Sequence, residues 1–271
     1  MEKESVVLKI WRVIYPALLF MAVQIFTALA VQSICTGIAA GNPDSWVGRN
    51  VTSLSSAVSM AVTIAVCFVF FRRDNNAASP YIYRKPWFFA LIIAAGAMAW
   101  HGLSILFSLI RMDSLFGDSY NTLSGQLFSA PFVLAFIQIV ILAPLAEELV
   151  FRGLIYKRLE KYTGGFWIPA AVSSLIFAVC HMNPLQMING FIAGFLFAAV
   201  YSCFRNLWTS VAMHAGLNLI SVILAYTGFV YPSDTVMIIT MVVFMAAAAV
   251  IMLAVFRPLR AAAEEQLRQK Q

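Results

Sequence analysis

Charge is what this sequence has least of. Asp, Glu, Lys and Arg make up 11% of its 271 residues against 62% hydrophobic ones, and that balance excludes a water-soluble globular domain, whose charged share is about a quarter. Cysteine is as scarce. Cys35, Cys67, Cys180 and Cys203 all fall within apolar runs with no CxxC pair among them, which excludes a disulfide framework and a thiolate metal site. They read as small apolar packing residues. No HExxH helix and no GxSxG elbow occurs, so neither common hydrolase signature applies. Internal repeats, low-complexity tracts and a soluble domain are also missing. The first apolar run is too long for a signal-peptide core and ends in no clear small-residue cleavage site, so it is expected to be a retained anchor.

What the chain does have is long apolar runs. A membrane span takes about 20 mainly apolar residues to cross roughly 30 Å of hydrocarbon. Such runs lie at 13–38, 51–71, 88–110, 131–156, 167–183, 187–204, 207–229 and 235–256. The fifth and sixth are short and meet at "HMNPLQ", so a seven-span count or a re-entrant pair is the alternative to eight. Basic residues sort to alternate ends of these runs. Lys3, Lys9, Arg12, Arg72, Arg73, Arg84, Lys85, Lys157, Arg158, Lys161, Arg205, Arg257, Arg260, Arg268 and Lys270 fall on one side, and only Arg49 and Arg111 on the other. The positive-inside rule then puts both termini in the cytoplasm. The net charge of +6 follows from this topology and requires no nucleic acid. An anionic-lipid contact of the basic C-terminal tail adds little to it. The expected fold is all-α: one integral membrane domain over residues 1–271, with about eight transmembrane helices.

Ionisable groups within spans cost several kcal/mol unless paired or hydrated, so they mark function by default. Away from span edges they are Glu147, Glu148, Arg152, His101, His181 and His214. The stretch "APLAEELVFRG" at 143–153 holds three of them. Glu148 and Arg152 stand four apart with the acid first, the arrangement in which they pair along one helix face. Such a pair reads as structural. Glu147 points about 100° away from Glu148 and has no such partner on its own helix. The two carboxylates thus divide into one fixed anion and one acid free to exchange a proton.

His214 and Asn218 repeat the four-residue spacing, as do Phe177 and His181, with Phe177 an apolar wall beside the imidazole. Counted from the cytoplasmic edge, Glu147, His214, Asn218 and His181 lie at about 15, 10, 16 and 21 Å. They are expected to converge on one pocket near the midplane that opens toward the cytoplasm. A carboxylate with two histidines and an amide suits hydrolysis, the carboxylate taking a proton from the attacking water while donors hold the oxyanion. Ser173, Ser174 and Cys180 lie near His181 but lack the setting of a nucleophile, Cys180 being too close in sequence to face the ring. The bland readings elsewhere are an interhelical hydrogen bond for His101, a helix stop at Asn183–Pro184, and close helix packing at Gly190 and Gly194, with a dimer interface as a lesser option.

"EELVFR", "FAVCH" and "HAGLN", in this order and all within spans, resemble the CPBP family: the CAAX proteases and bacteriocin-processing or immunity proteins, also called the Abi family. The resemblance covers about residues 131–229, without departure at the motif positions. It implies an intramembrane glutamic endopeptidase with no required metal, in which Glu147 is the general base and His181 orients or activates water. His214 and Asn218 would form the oxyanion site, with Glu148, Arg152 and Phe177 in support. Eukaryotic members trim prenylated CaaX termini; for this chain the substrate stays open, a peptide or protein reaching the site from the membrane or the cytoplasm. Two alternatives stand: zinc held by Glu147, His181 and His214, and a non-catalytic immunity, scaffold or proton-coupled transport protein using the same buried acid.

Overall fold

A computed structural model of the chain describes residues 4–74, 86–112, 125, 128–256 and 261. Among them every regular element is a helix. We number the helices α1 (Val6–Ala39), α2 (Val51–Asp74), α3 (Pro86–Leu109), α4 (Phe132–Thr163), α5 (Trp167–Val179), α6 (Pro184–Phe204), α7 (Leu207–Thr227) and α8 (Asp234–Ala254). Local chemistry sets several starts. Ser5, Asn183, Asn206 and Ser233 each accept from a backbone N–H of the first turn of α1, α6, α7 and α8, which satisfies donors that the helix leaves orphaned.

Seven of these helices are long and apolar enough to cross a membrane; α5 is not. The chain is a multi-pass integral membrane protein. Of the two counts left open at 167–183, the structure follows seven: α5 has 13 residues, about 20 Å at the α-helical rise against roughly 30 Å of hydrocarbon. Pro184 holds Asn183 at φ −125° and ψ 124°, an extended setting that no helix continues through. Met182 turns the chain at φ 52°. Asn183 is therefore the N-cap of α6 as much as a stop for α5.

The basic helix ends gather at one end of the bundle. Arg158 at the end of α4 pairs with Asp74 at the end of α2 at 2.6 Å and donates to the Tyr15 hydroxyl near the start of α1 at 2.7 Å. Arg205, after α6, pairs with Glu160. Lys3, Arg84, Lys85, Arg257, Arg260, Arg268 and Lys270 lie outside the described residues. At the opposite end the Tyr226 hydroxyl of α7 donates to the Ala130 carbonyl, and His101 of α3 bonds to the Tyr231 hydroxyl between α7 and α8. The hydrogen bond expected of His101 thus reaches the α7–α8 connection rather than a second helix.

Helix α4 is the axis. Residues 148–156 are buried on every face, because α1, α2, α5, α6 and α7 all pack around them. Glycines let the neighbours close in. A Cβ at Gly96 of α3 would fall 2.3 Å from the Met213 carbonyl of α7, and one at Gly216 would fall 2.1 Å from that of Ile93. Gly194 is tight where α6 meets α5 and α4, a Cβ there falling 3.0 Å from Arg152 Nη2, whereas at Gly190 Ala178 Cα stands at an ordinary 3.4 Å; both glycines of this GxxxG pair face neighbours within the chain,.

Candidate active site

The site begins with a proline. Two stretches of α4, Phe136–Leu142 and Phe151–Tyr156, wind in wide π turns and bracket the α-helical Ala143–Val150 that carries both glutamates. Pro144 has no N–H to give, and the Ala143 N–H goes to the Gln138 carbonyl five residues back. The Ile139 carbonyl is left without either helical donor. Asn218 of α7 supplies one, its Nδ2 donating at 2.7 Å. The π turns thus tie the glutamate segment to the helix that carries His214, in keeping with the frequency of such turns at functional sites.

Glu148 is fully buried and serves two partners. Arg152 Nη1 donates to its Oε1 at 2.8 Å, both side chains having no exposure. His214 Nδ1 donates to the same oxygen at 3.1 Å. The guanidinium also donates through Nη2 to the Gly194 carbonyl at 2.6 Å and lies over the rings of Phe177 and Phe197, 5.0 and 5.3 Å from their centroids. Phe197 in turn stacks on the His214 imidazole at 4.4 Å. A buried carboxylate fixing a histidine through Nδ1 sets which ring nitrogen is presented to the site.

Glu147 behaves differently. Its side chain keeps 12% exposure, and Oε2 stands 3.7 Å from His214 Nε2, beyond hydrogen-bond reach. It lines a cavity of about 220 Å³ together with Gln24 and Met60 of α1 and α2 and Phe177, Cys180 and His181 of α5 and its C-terminal turn. His181 Nδ1 donates to the Phe177 carbonyl at 2.9 Å, so in the neutral ring Nε2 is the acceptor. The Phe177 ring stands edge-on to this imidazole at 4.7 Å, the apolar wall expected of it.

A second cavity of about 430 Å³ adjoins the first, lined by His181, His214 and Asn218, with Phe177, His181 and Gln186 shared between the two. The four expected polar groups therefore meet, but around a partition rather than in one chamber: Glu147 on one side, His214 and Asn218 on the other, and His181 in both. Two expectations are corrected. The larger cavity is walled by the C-terminal halves of α3 and α7 and the N-terminal half of α6, out to Met112, Phe128 and Ala225. It runs toward the end of the bundle opposite the basic helix ends, not toward them. Cys180 shares the wall with His181 because α5 ends at Val179 and the terminating turn brings both around. Ser173 and Ser174 are fully buried and line neither cavity.

The amides Gln24 and Gln186 facing the glutamate chamber escaped the sequence reading. Gln24 was legible by an extension of the rule applied to the charges: it is a large polar amide midway along the apolar run of α1, where it bonds to Ser59 and Thr63 of α2. No three of His, Cys, Asp and Glu assemble into a metal-holding group among the described residues, although zinc takes three or four such ligands.

Fold and site together define a helical, multi-pass membrane protein with a paired and an unpaired carboxylate beside two histidines. Residues 128–220 match the family model described as Type II CAAX prenyl endopeptidase Rce1-like, a range that contains every motif residue from Glu147 to Asn218. The chain is also similar to the "Putative membrane peptidase YdiL" of Bacillus subtilis (strain 168), 30% identical over 84 residues, which is 31% of this chain and 34% of that protein. The match thus spans about a third of the curated relative's length. No solved structure matches the chain. Residues 128–220 thus match a model of the CAAX protease family that the three motifs resemble.

Proposed function

We propose that the protein is an intramembrane endopeptidase in which Glu147 activates water against a peptide carbonyl. The observation that carries this reading is the division of labour between adjacent acids. Glu148 is consumed by Arg152 and His214, whereas the Glu147 carboxylate faces a cavity and accepts no hydrogen bond among the described residues. In the reaction Glu147 takes a proton from water as its oxygen bonds to the carbonyl carbon. His181 Nε2 orients that water. His214, held through Nδ1, and the second Nδ2–H of Asn218 face the oxyanion. Collapse breaks the C–N bond, and the proton passes from Glu147 to the leaving nitrogen.

The family description of residues 128–220 supports the same reaction class, and no metal step is needed. The test is cleavage of a peptide library by purified protein in lipid, wild type beside Glu147→Gln. Cleavage lost in the variant, by about 100-fold or more as for removal of a general base, is expected. Equal cleavage by both proteins, or none by either, would overturn the proposal.

A further inference from the structure

The larger cavity has an orientation and a chemistry of its own. From His181 and His214 it follows Trp100, Ser104 and Ser108 along α3, and Ser221 and Ala225 along α7. All of these lie toward the bundle end that holds Arg111, away from the end tied together by Arg12, Asp74, Arg158, Glu160 and Arg205. By the positive-inside rule the Arg158 end is cytoplasmic and the end toward which the cavity runs is not. Among the described residues no Asp, Glu, Lys or Arg lines the cavity, so a charged side chain entering between these walls would be desolvated without a partner. Its polar groups are those that read a backbone. Asn189 presents a buried Oδ1 without a partner, and hydroxyls stand along α3 and α7, that of Ser221 already accepting from Trp100 Nε1 at 3.1 Å. At about 430 Å³ the cavity falls within the range of ligand pockets, about 300–1,000 Å³.

We propose that the cavity takes an extended, uncharged peptide segment presented from the extracytoplasmic side, so that the substrate is the outward juxtamembrane stretch of a membrane or exported protein and not a cytoplasmic C-terminus. This rests on the peptidase reading for its chemistry but not for its geometry. The Asn189 carbonyl accepts a substrate N–H, and the uncharged wall selects small and apolar side chains.

Thiol accessibility tests the geometry without needing catalysis. Ser104→Cys, Ser108→Cys and Lys161→Cys are each compared with wild type, whose four native cysteines give the background, using a membrane-impermeant maleimide on right-side-out and inverted vesicles. Ser104→Cys and Ser108→Cys are expected to react in right-side-out vesicles and Lys161→Cys in inverted ones. Reaction of the two cavity variants only in inverted vesicles, or in neither preparation, overturns the proposal while leaving hydrolysis standing. Conversely, full cleavage by Glu147→Gln defeats the peptidase reading and leaves the cavity's orientation untouched. A reporter substrate carries the argument to specificity: an uncharged juxtamembrane segment outside the membrane is expected to be cut, and the same segment with a central Asp or Lys is not. Equal cutting of both, or cutting of a cytoplasmic copy alone, counts against it.

Discussion

His214 donates through Nδ1 to Glu148 at 3.1 Å and turns Nε2 toward Glu147 at 3.7 Å, so one imidazole reads the two adjacent acids with different nitrogens. The acids should fail differently when replaced. Glu148→Ala leaves Arg152 buried without its anion, a defect that costs about 3–5 kcal/mol, and it also frees the His214 ring. Glu147→Gln removes a carboxylate that only faces a cavity, so its stability change should stay at about 1 kcal/mol or less. Thermal unfolding in detergent beside peptide cleavage checks the split: Glu147→Gln is expected folded and inactive, Glu148→Ala both unstable and inactive. A marked stability loss in Glu147→Gln would mean that its carboxylate is structural.

Hydrolysis by this site is expected to persist when divalent metal is removed. Glu147, His181 and His214 do not form a three-donor group, and the His181 Nδ1 is committed to the Phe177 carbonyl. Activity after dialysis against a zinc chelator, measured together with metal content by mass spectrometry, should equal that of untreated protein, with zinc well below one per chain. Loss on chelation and recovery on adding zinc would restore the metal reading.

Gly190 and Gly194 are one motif in sequence but unequal in structure. A Cβ at Gly194 would stand 3.0 Å from Arg152 Nη2 and 3.1 Å from both Phe177 and Ser174, whereas at Gly190 nothing comes closer than 3.4 Å. Gly194→Ala must shift the guanidinium that bonds to this very backbone carbonyl, a crowding that costs about 1–3 kcal/mol. Gly190→Ala gains helix propensity of about 0.8–1.0 kcal/mol and should be neutral or stabilising. Melting temperatures of the two variants should therefore move in different directions; equal losses would contradict the packing described.

How much of this was written in the sequence follows from the range of each interaction. The Glu148–Arg152 pair and the Phe177–His181 contact are local, four residues apart on one helix, and spacing alone located them. The number of spans was left between eight and seven at α5, because composition continues apolar through Val179 while Pro184 and the positive φ of Met182 end the helix. The bond from His214 to Glu148 and the partition of the site by Phe177 were not legible. Both depend on how α5, α6 and α7 cross α4, and those crossings are set by glycines whose neighbours lie far away in sequence. The direction of the larger cavity was misread for a related reason: counting depth along each helix puts residues at one level but does not say on which side of that level space is left.

The least obvious link is between Pro144 and Asn218. The proline withholds the N–H that the Ile139 carbonyl would otherwise receive, and Asn218 makes up the deficit from α7 at 2.7 Å. Asn218→Ala alone should therefore strand a carbonyl within the bundle and cost about 1–3 kcal/mol. With Pro144→Ala in the background the local N–H returns, so the same Asn218→Ala change should cost less, a coupling of about 0.5–3 kcal/mol for residues that share a partner. Denaturant unfolding of the wild type, both single variants and the double variant closes this cycle. Strict additivity would show that Ile139 is not their common partner. Activity should not follow stability here: the double variant, even if restored in fold, still lacks the Asn218 amide and should remain slow.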